Sequence, residues 1–361
     1  MMKKIFFVTI VGCFLTASLQ AQSGGDSLLN FLLKNKARAS LYLQKNDYIV
    51  TKLNEDKLMP LAATANIMVA IEFAKQAAYN VFGFNAVVPM KDINRYFLPN
   101  TDGDAHRNWI KYETRIGHIK NDSVKIIDVA RGMIMFGSTA NAEYLMELLG
   151  FGNLKNDIKM FGLKQHTLLY PMPSSLFLYQ NPKGLAEDKI LKQIDSFKQE
   201  DYYKAVFSIH RELAMDSGYK EKFRPQDLTL KMQKAWSERL TSATAKEYAK
   251  VARVLNSRLI LNDKSYAVLG KLLETIMESP SSKTWLNHSG MVSGSTNSVF
   301  TKTVYATLKD GTKLELVYFF NDLNGKENYK LQSWANDFDS RILKDETFRK
   351  KLVEAIEGKK K

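Results

Sequence analysis

Hydroxyl nucleophiles are plentiful in this chain, but bases at the spacing that would activate them are not. A serine three residues before a lysine on a helix puts both side chains on one face, where the amine can take the hydroxyl proton. The one literal match is Ser217-Gly218-Tyr219-Lys220, in a charged stretch with no apolar helix pattern behind it. A lysine-rich chain produces that spacing by chance. Thr64 sits in a far more apolar segment, yet its i+3 neighbour is Ile67, so no amine shares its face. Ser174 and Ser175, in Tyr170-Pro171-Met172-Pro173-Ser174-Ser175, have no base nearby in sequence. His106, His118, His166, His210 and His288 form no close metal-binding pair. Asn100 to His106 spaces oxygen ligands like the start of a calcium loop, but the later bidentate acid is missing. No metal and no cofactor are expected.

The elements that must position such groups follow from periodicity. Ser27 to Lys36 is a short amphipathic helix. Ala39 to Leu43 and Tyr48 to Thr51 flank the polar turn Gln44 to Asp47 and predict a hairpin. Ile67 to Ala78 is apolar or small on most faces, the pattern of a core helix. Asp122 to Phe136 carries Ile126, Val129, Ala130, Met133 and Ile134 at 3–4 spacing, and Asn141 to Leu149 continues helical to Gly150. Gly184 to Met232 is long, charged and helical in pattern. Thr244-x-x-Glu247 is a capping box opening a helix to about Leu255, and Asp263 to Met277 is another helix. The period returns to two at Trp285 to His288 and Val299 to Leu308. A turn at Lys309 to Thr312 leads to the strand Leu314 to Phe320, and Ser333 to Ile356 closes the chain as a helix. Strands at both ends and helices between predict an α/β (α+β) fold. Residues 27–60 and 283–361 make one antiparallel sheet lobe covered by terminal helices, and residues 61–282 make an inserted helical lobe.

Residues Pro60-Leu61-Ala62-Ala63-Thr64-Ala65-Asn66-Ile67 resemble the nucleophile helix of the serine β-lactamase and penicillin-binding-protein superfamily, with Ala63 at the serine position and Asn66 at the lysine position. Gly137-Ser138-Thr139-Ala140-Asn141, before a helix ending at Leu149-Gly150, resembles its Ser-x-Asn motif. Counting back from Gly150 sets Gly137, Ser138 and Thr139 on the motif, and a slip of one makes Ser138 the motif serine. His288-Ser289-Gly290 resembles the Lys-Thr-Gly strand, with His288 for the lysine. The resemblance spans roughly Ser40 to Leu323 and is weakest from Gly184 to Thr241. It implies a cleft between the lobes, with Ala63, Asn66, Ser138, His288 and Ser289 at catalytic positions. Thr64, Asn141, Ser174, Ser175 and Gly290 are then expected to bind substrate. The implied activities are β-lactam, cell-wall peptide and ester hydrolysis, and each needs the hydroxyl that Ala63 lacks.

Basic Met1 to Lys4, apolar Ile5 to Leu15 and Ala17 to Gln22 form a secretory signal, with cleavage expected after Ala21. A lipoprotein signal with Cys13 lipidated is the alternative. Either way the chain is expected to be exported, periplasmic or secreted, with no transmembrane segment in the mature protein. Cys13 is the only cysteine, so the mature chain has no disulfide or thiol chemistry. The formal charge is +14, but lysines alternate with acids, as in Lys220-Glu221-Lys222, which is a solvated surface rather than a nucleic-acid footprint. The expected function is a non-catalytic relative that binds a cell-wall peptide, glycan or protein partner. The expected ligand is a peptidoglycan-derived peptide or a β-lactam-like small molecule. The alternative is an active hydrolase with Thr64, Ser138, Ser174 or Ser289 as nucleophile.

Overall fold

The computed structural model describes residues 23–216 and 218–358. Residues 1–22, which hold the expected secretory signal and Cys13, and Ser217 lie outside them. Along the chain, helix α1 (Gly24–Lys34) precedes the hairpin β1 (Ala39–Lys45) and β2 (Tyr48–Leu53). Then come α2 (Asn66–Ala78), α3 (Ala105–Arg115), α4 (Ile126–Met135), α5 (Thr139–Leu149), α6 (Gln199–Met215), α7 (Leu230–Glu238) and α8 (Ala245–Asn256). The chain ends with β3 (Leu286–Ser295), β4 (Phe300–Leu308), β5 (Lys313–Phe320), α9 (Gly325–Lys344) and α10 (Glu346–Glu357).

The five strands form one antiparallel sheet in the order β2-β1-β5-β4-β3. β5 is therefore the central strand, pairing Leu41 with Tyr318 on one side and Val304 with Leu316 on the other. Both faces of β5 are buried. Leu316, Tyr318 and Phe320 pack with Leu28, Leu32 and Phe338 under the terminal helices. Val317 and Phe319 face the helical lobe with Phe73 and Tyr248. This is the two-sided burial that lets a strand read as a nearly continuous apolar run. α2 is buried almost end to end, and each fully buried Ile or Phe there contributes about 1.5–3 kcal/mol.

The structure differs from the sequence reading in several places. β3 continues from Leu286 to Ser295, because its Ser and Gly residues alternate exposed and buried without an apolar signal. The helix expected from Asp122 starts at Ile126, since Ser123–Lys125 pairs with Val87–Pro89. The long charged segment breaks into Glu187–Ser196, α6 and α7 with turns between. The closing helix is two, separated at Asp345, whose side chain caps α10. The capping box at Thr244 is half formed. Thr244 accepts from the Glu247 N–H, but the Glu247 carboxylate turns away to accept from the Gln165 N–H at 2.7 Å.

Candidate functional site

A cavity of about 670 Å³ opens between the lobes. Ala62 and Ala63 form its floor, on the turn that leads into α2. Ala62 has φ 46°, a left-handed conformation that costs a non-glycine residue of order 1–3 kcal/mol and persists only where the surroundings hold it. They do so here. The Leu61 N–H donates to the Thr241 carbonyl at 2.9 Å, and the Thr301 hydroxyl donates to the Leu61 carbonyl at 2.6 Å. Thr64, fully buried, pairs its hydroxyl with that of Thr301 at 2.8 Å. β3 presses on the same turn. A Cβ added to Gly294 would lie 2.5 Å from the Thr64 nitrogen and 2.7 Å from the Leu61 carbonyl oxygen, so only glycine fits.

One wall is the β3 end, Ser293 to Asn297. The facing wall is Asn100 to Gly103, Ala105 and Asn108 of α3, Ile134 and Met135 of α4, Phe136, Gly137 and Thr139. Met172, Leu176, and Gln233, Trp236 and Ser237 of α7 close one end, and Asn328, Tyr329 and Gln332 of α9 stand at the rim. The rim is cross-linked: Ser237 donates to the Thr296 hydroxyl at 2.8 Å, and Asn328 donates to the Val299 carbonyl at 2.9 Å. Among the described lining residues none is Lys, Arg or His, and the only carboxylate is Asp102. Burial pushes the Asp102 carboxyl up. Its Oδ2 accepts from the His106 N–H at 3.0 Å, and its Oδ1 is buried without a partner.

The residues expected at the site separate into three groups. Ala63 lies on the cavity floor, and Asn66 is buried one helical turn beyond it with an unpartnered Oδ1. Neither supplies a nucleophile or an amine. Ser138 and Asn141 lie behind the wall. Ser138 caps α5 by accepting from the Asn141 N–H at 3.3 Å, and its hydroxyl is 2.8 Å from His106 Nδ1. The Asn141 amide donates to the Val129 carbonyl at 3.0 Å. His106 Nε2 lies 2.8 Å from Asn94 Oδ1, and the Ser138 hydroxyl donates to Asn141 Oδ1 at 2.9 Å. Burial lowers His106 to about 4, so the ring is neutral. Ser138, His106 and Asn94 are thus linked like a hydroxyl–imidazole–amide relay, but Ser138 and His106 are fully buried and no substrate reaches them. It is Gly137 and Thr139, on either side of Ser138, that line the cavity.

The third group is corrected by the structure. His288, Ser289 and Gly290 lie near the far end of β3, away from the cavity. The Ser289 hydroxyl is buried and donates to the Tyr305 carbonyl at 2.8 Å; His288 Nδ1 lies 3.2 Å from Glu274. A Cβ on Gly290 would strike the Tyr305 ring, so this glycine serves packing. The serine–glycine pair beside Ala63 is Ser293-Gly294. Ser174 and Ser175 are likewise buried and do not line the cavity. Ser174 is tied through its N–H and hydroxyl to the buried Glu143 carboxylate, which also meets His210 Nδ1 at 2.7 Å. Ser175 accepts from the Trp236 indole N–H at 2.7 Å. These bonds hold Met172 and Trp236 against the cavity. Sequence reasoning missed Trp236, Gln233 and the α9 residues, which belong to helices with no resemblance to a known motif.

No family model matches the chain, and no curated protein matches its sequence. Solved structures do match in fold. A β-lactamase from Sphaerobacter thermophilus aligns over 88% of this chain and 96% of its own, with TM-score 0.54 and 13% identity. A β-lactamase from Chitinophaga pinensis aligns over 88% and 99%, with TM-score 0.52 and 12% identity. PBP-A aligns over 88% and 96%, with TM-score 0.52 and 11% identity. The chain therefore has the fold of the serine β-lactamase and penicillin-binding-protein superfamily. No described helix is long and apolar enough to cross a membrane.

Proposed function

We propose that this chain is an exported, non-catalytic member of that structural class, whose cleft binds an uncharged, hydroxyl- and amide-rich ligand such as a peptidoglycan glycan or peptide segment. The observation that carries the reading is Ala63 on the cavity floor, where the fold would place a nucleophile. No lining hydroxyl compensates for it. Thr101, Thr139, Ser237, Ser293, Ser295 and Thr296 line the cavity, and among the described residues none is hydrogen-bonded to a His, Lys or carboxylate.

The lining also selects the ligand. A free carboxylate, as on a penicillin, would enter beside Asp102 with no lining cation to pair with, and an unpaired buried charge is costly. Amides and hydroxyls, by contrast, find donors and acceptors in Asn100, Asn108, Gln233, Asn297 and Gln332. Tyr329, 75% exposed at the rim, and Trp236 offer aromatic faces for a sugar ring.

The test is reversible binding of N,N′-diacetylchitobiose, a neutral disaccharide of the N-acetylglucosamine found in peptidoglycan, read through tryptophan fluorescence and calorimetry, alongside intact-mass spectrometry after incubation with penicillin and a serine-reactive phosphonate. Saturable binding that weakens several-fold in Tyr329→Ala, with no covalent adduct, is the expected result. An adduct mapped to a cleft hydroxyl would overturn the non-catalytic reading, and absence of fragment binding would overturn the ligand class.

A further inference from the structure

Away from the cavity lining, Glu113, His118 and Asp128 converge on one point, each with a ligand atom within 4.8 Å of the others. Glu113 is in the last turn of α3, Asp128 is in the first turn of α4, and His118 sits in the link between them just after Gly117. His118 Nδ1 lies 2.9 Å from Glu113 Oε2 and 3.4 Å from Asp128 Oδ2. Glu113 and Asp128 are only 3% and 6% exposed, and those two oxygens are buried without a hydrogen-bond partner among the described residues. The imidazole side is open, with 47% of the His118 side chain exposed.

Two buried carboxylates facing each other repel. Burial pushes both carboxyls up, and the Asp128 charge raises Glu113 further. A protonated His118 offers one charge against two, and a single Nδ1–H cannot satisfy both oxygens. Lys125 and Arg131 act only at longer range. The Arg131 guanidinium is bonded instead to the Lys271 carbonyl and Glu278.

We propose that Glu113, His118 and Asp128 form a divalent-metal site for an ion of the zinc class. A dication balances both carboxylates and takes Nδ1 of a neutral imidazole as its third ligand. One nitrogen and two oxygens suit zinc better than calcium, which takes six to eight oxygens. In a tetrahedral zinc site with bonds of about 2.0–2.1 Å, donor atoms stand about 3.3 Å apart, close to the 2.9 and 3.4 Å from His118 Nδ1 to the two carboxylate oxygens. The exposed side leaves the fourth position to water. The bound ion would tie α3 to α4, and the opposite ends of both helices, through Asn108, Ile134 and Met135, form a cavity wall. The ion would thus brace the cleft without entering it.

Chelator-treated full-length protein titrated with ZnCl2 and, separately, CaCl2 tests this by calorimetry and thermal unfolding. One Zn2+ per chain, a Tm rise of several degrees and weaker binding of Ca2+ are expected. Glu113→Gln and Asp128→Asn should each weaken Zn2+ binding at least tenfold. Because each removes a buried charge facing another, their metal-free Tm should equal or exceed that of the unaltered protein. Should either fail to fold, His118→Ala gives the same readout from a half-exposed position. No saturable Zn2+ binding, binding unchanged in the variants, or tighter Ca2+ than Zn2+ binding would overturn the assignment.

Discussion

Gly294 lies against the backbone of Ala63 with no room for a side chain between them. The close approach of strand to turn and the left-handed Ala62 surround a position that holds an alanine. Gly294→Ala would force β3 away from backbone atoms that cannot rotate aside. Overpacking of this kind costs about 1–3 kcal/mol, and it should appear as a lowered urea midpoint. An unchanged midpoint would mean that β3 and the turn are not in contact in solution.

The turn at Ala63 is a place where chemistry can be installed, as the proposed function implies. Ala63→Ser with Asn66→Lys puts a hydroxyl on the cavity floor and an amine on the same helical face. The double variant should form a covalent penicillin adduct detectable by intact mass, slowly, because no lining cation anchors the carboxylate. A folded double variant that stays unmodified after prolonged incubation would show that the floor is not aligned for acyl transfer.

His106 should make the protein acid-sensitive. The neutral ring is held at about 4 by burial, below the ordinary value of 6.5, so the unfolded chain takes up the proton first as pH falls. The stability from this group is complete above pH 6.5 and is lost on acidification toward pH 4, by up to about 1.4 kcal/mol per pH unit. Ser138→Ala removes the α5 cap and the His106 partner together and should cost about 1–2 kcal/mol at pH 7. Denaturant midpoints across pH 4–8 check both statements.

Glu315 has the opposite sign. It is 1% exposed, its Oε1 accepts from Asn256 at 2.6 Å, and burial pushes its carboxyl up to about 7 from 4.5. A group raised in the fold contributes stability that is full below pH 4.5 and is lost as pH rises through 7. Glu315→Gln mimics the neutral acid at all pH. It should match the unaltered protein below pH 4.5 and exceed it above pH 7, by at most about 3 kcal/mol. An equal difference at both extremes would show that Glu315 does not titrate with folding.

Elements with strong patterns were legible in the sequence. The hairpin of β1 and β2, the apolar α2 and the β4-turn-β5 unit each declare themselves by period and turn chemistry. The register of β3 does not. Both His288-Ser289-Gly290 and Ser293-Gly294-Ser295 offer a hydroxyl beside a glycine, and both glycines are required by packing, one by Tyr305 and the other by the Ala63 turn. An irregularity between Leu286 and His288 and the length of the strand decide which one reaches the cleft. Ser138 posed a similar ambiguity, because a serine at a helix start looks the same in sequence whether it faces a ligand or caps the helix. Glu113, His118 and Asp128 belong to a helix, a turn and the next helix, so no periodic template groups them.

The order of strands in the sheet has a consequence for how the molecule is assembled. β5 is the centre of the sheet and the last described strand of the chain, while its partner β1 is the first, pairing Ala39 with Phe320. Until β5 is available, β1 and β4 each have an unpaired edge, and the apolar faces of α1 and β1 have no sheet to close on. Folding is therefore gated by the arrival of the C-terminal quarter, across a loop that spans nearly the whole protein, with the slow closure expected of such long-range pairing. A chain interrupted before Lys313 would lose the strand that joins two hairpins, β1 with β2 and β3 with β4. It would be left as a helical lobe with two separate open hairpins, with the edges most prone to aggregation exposed.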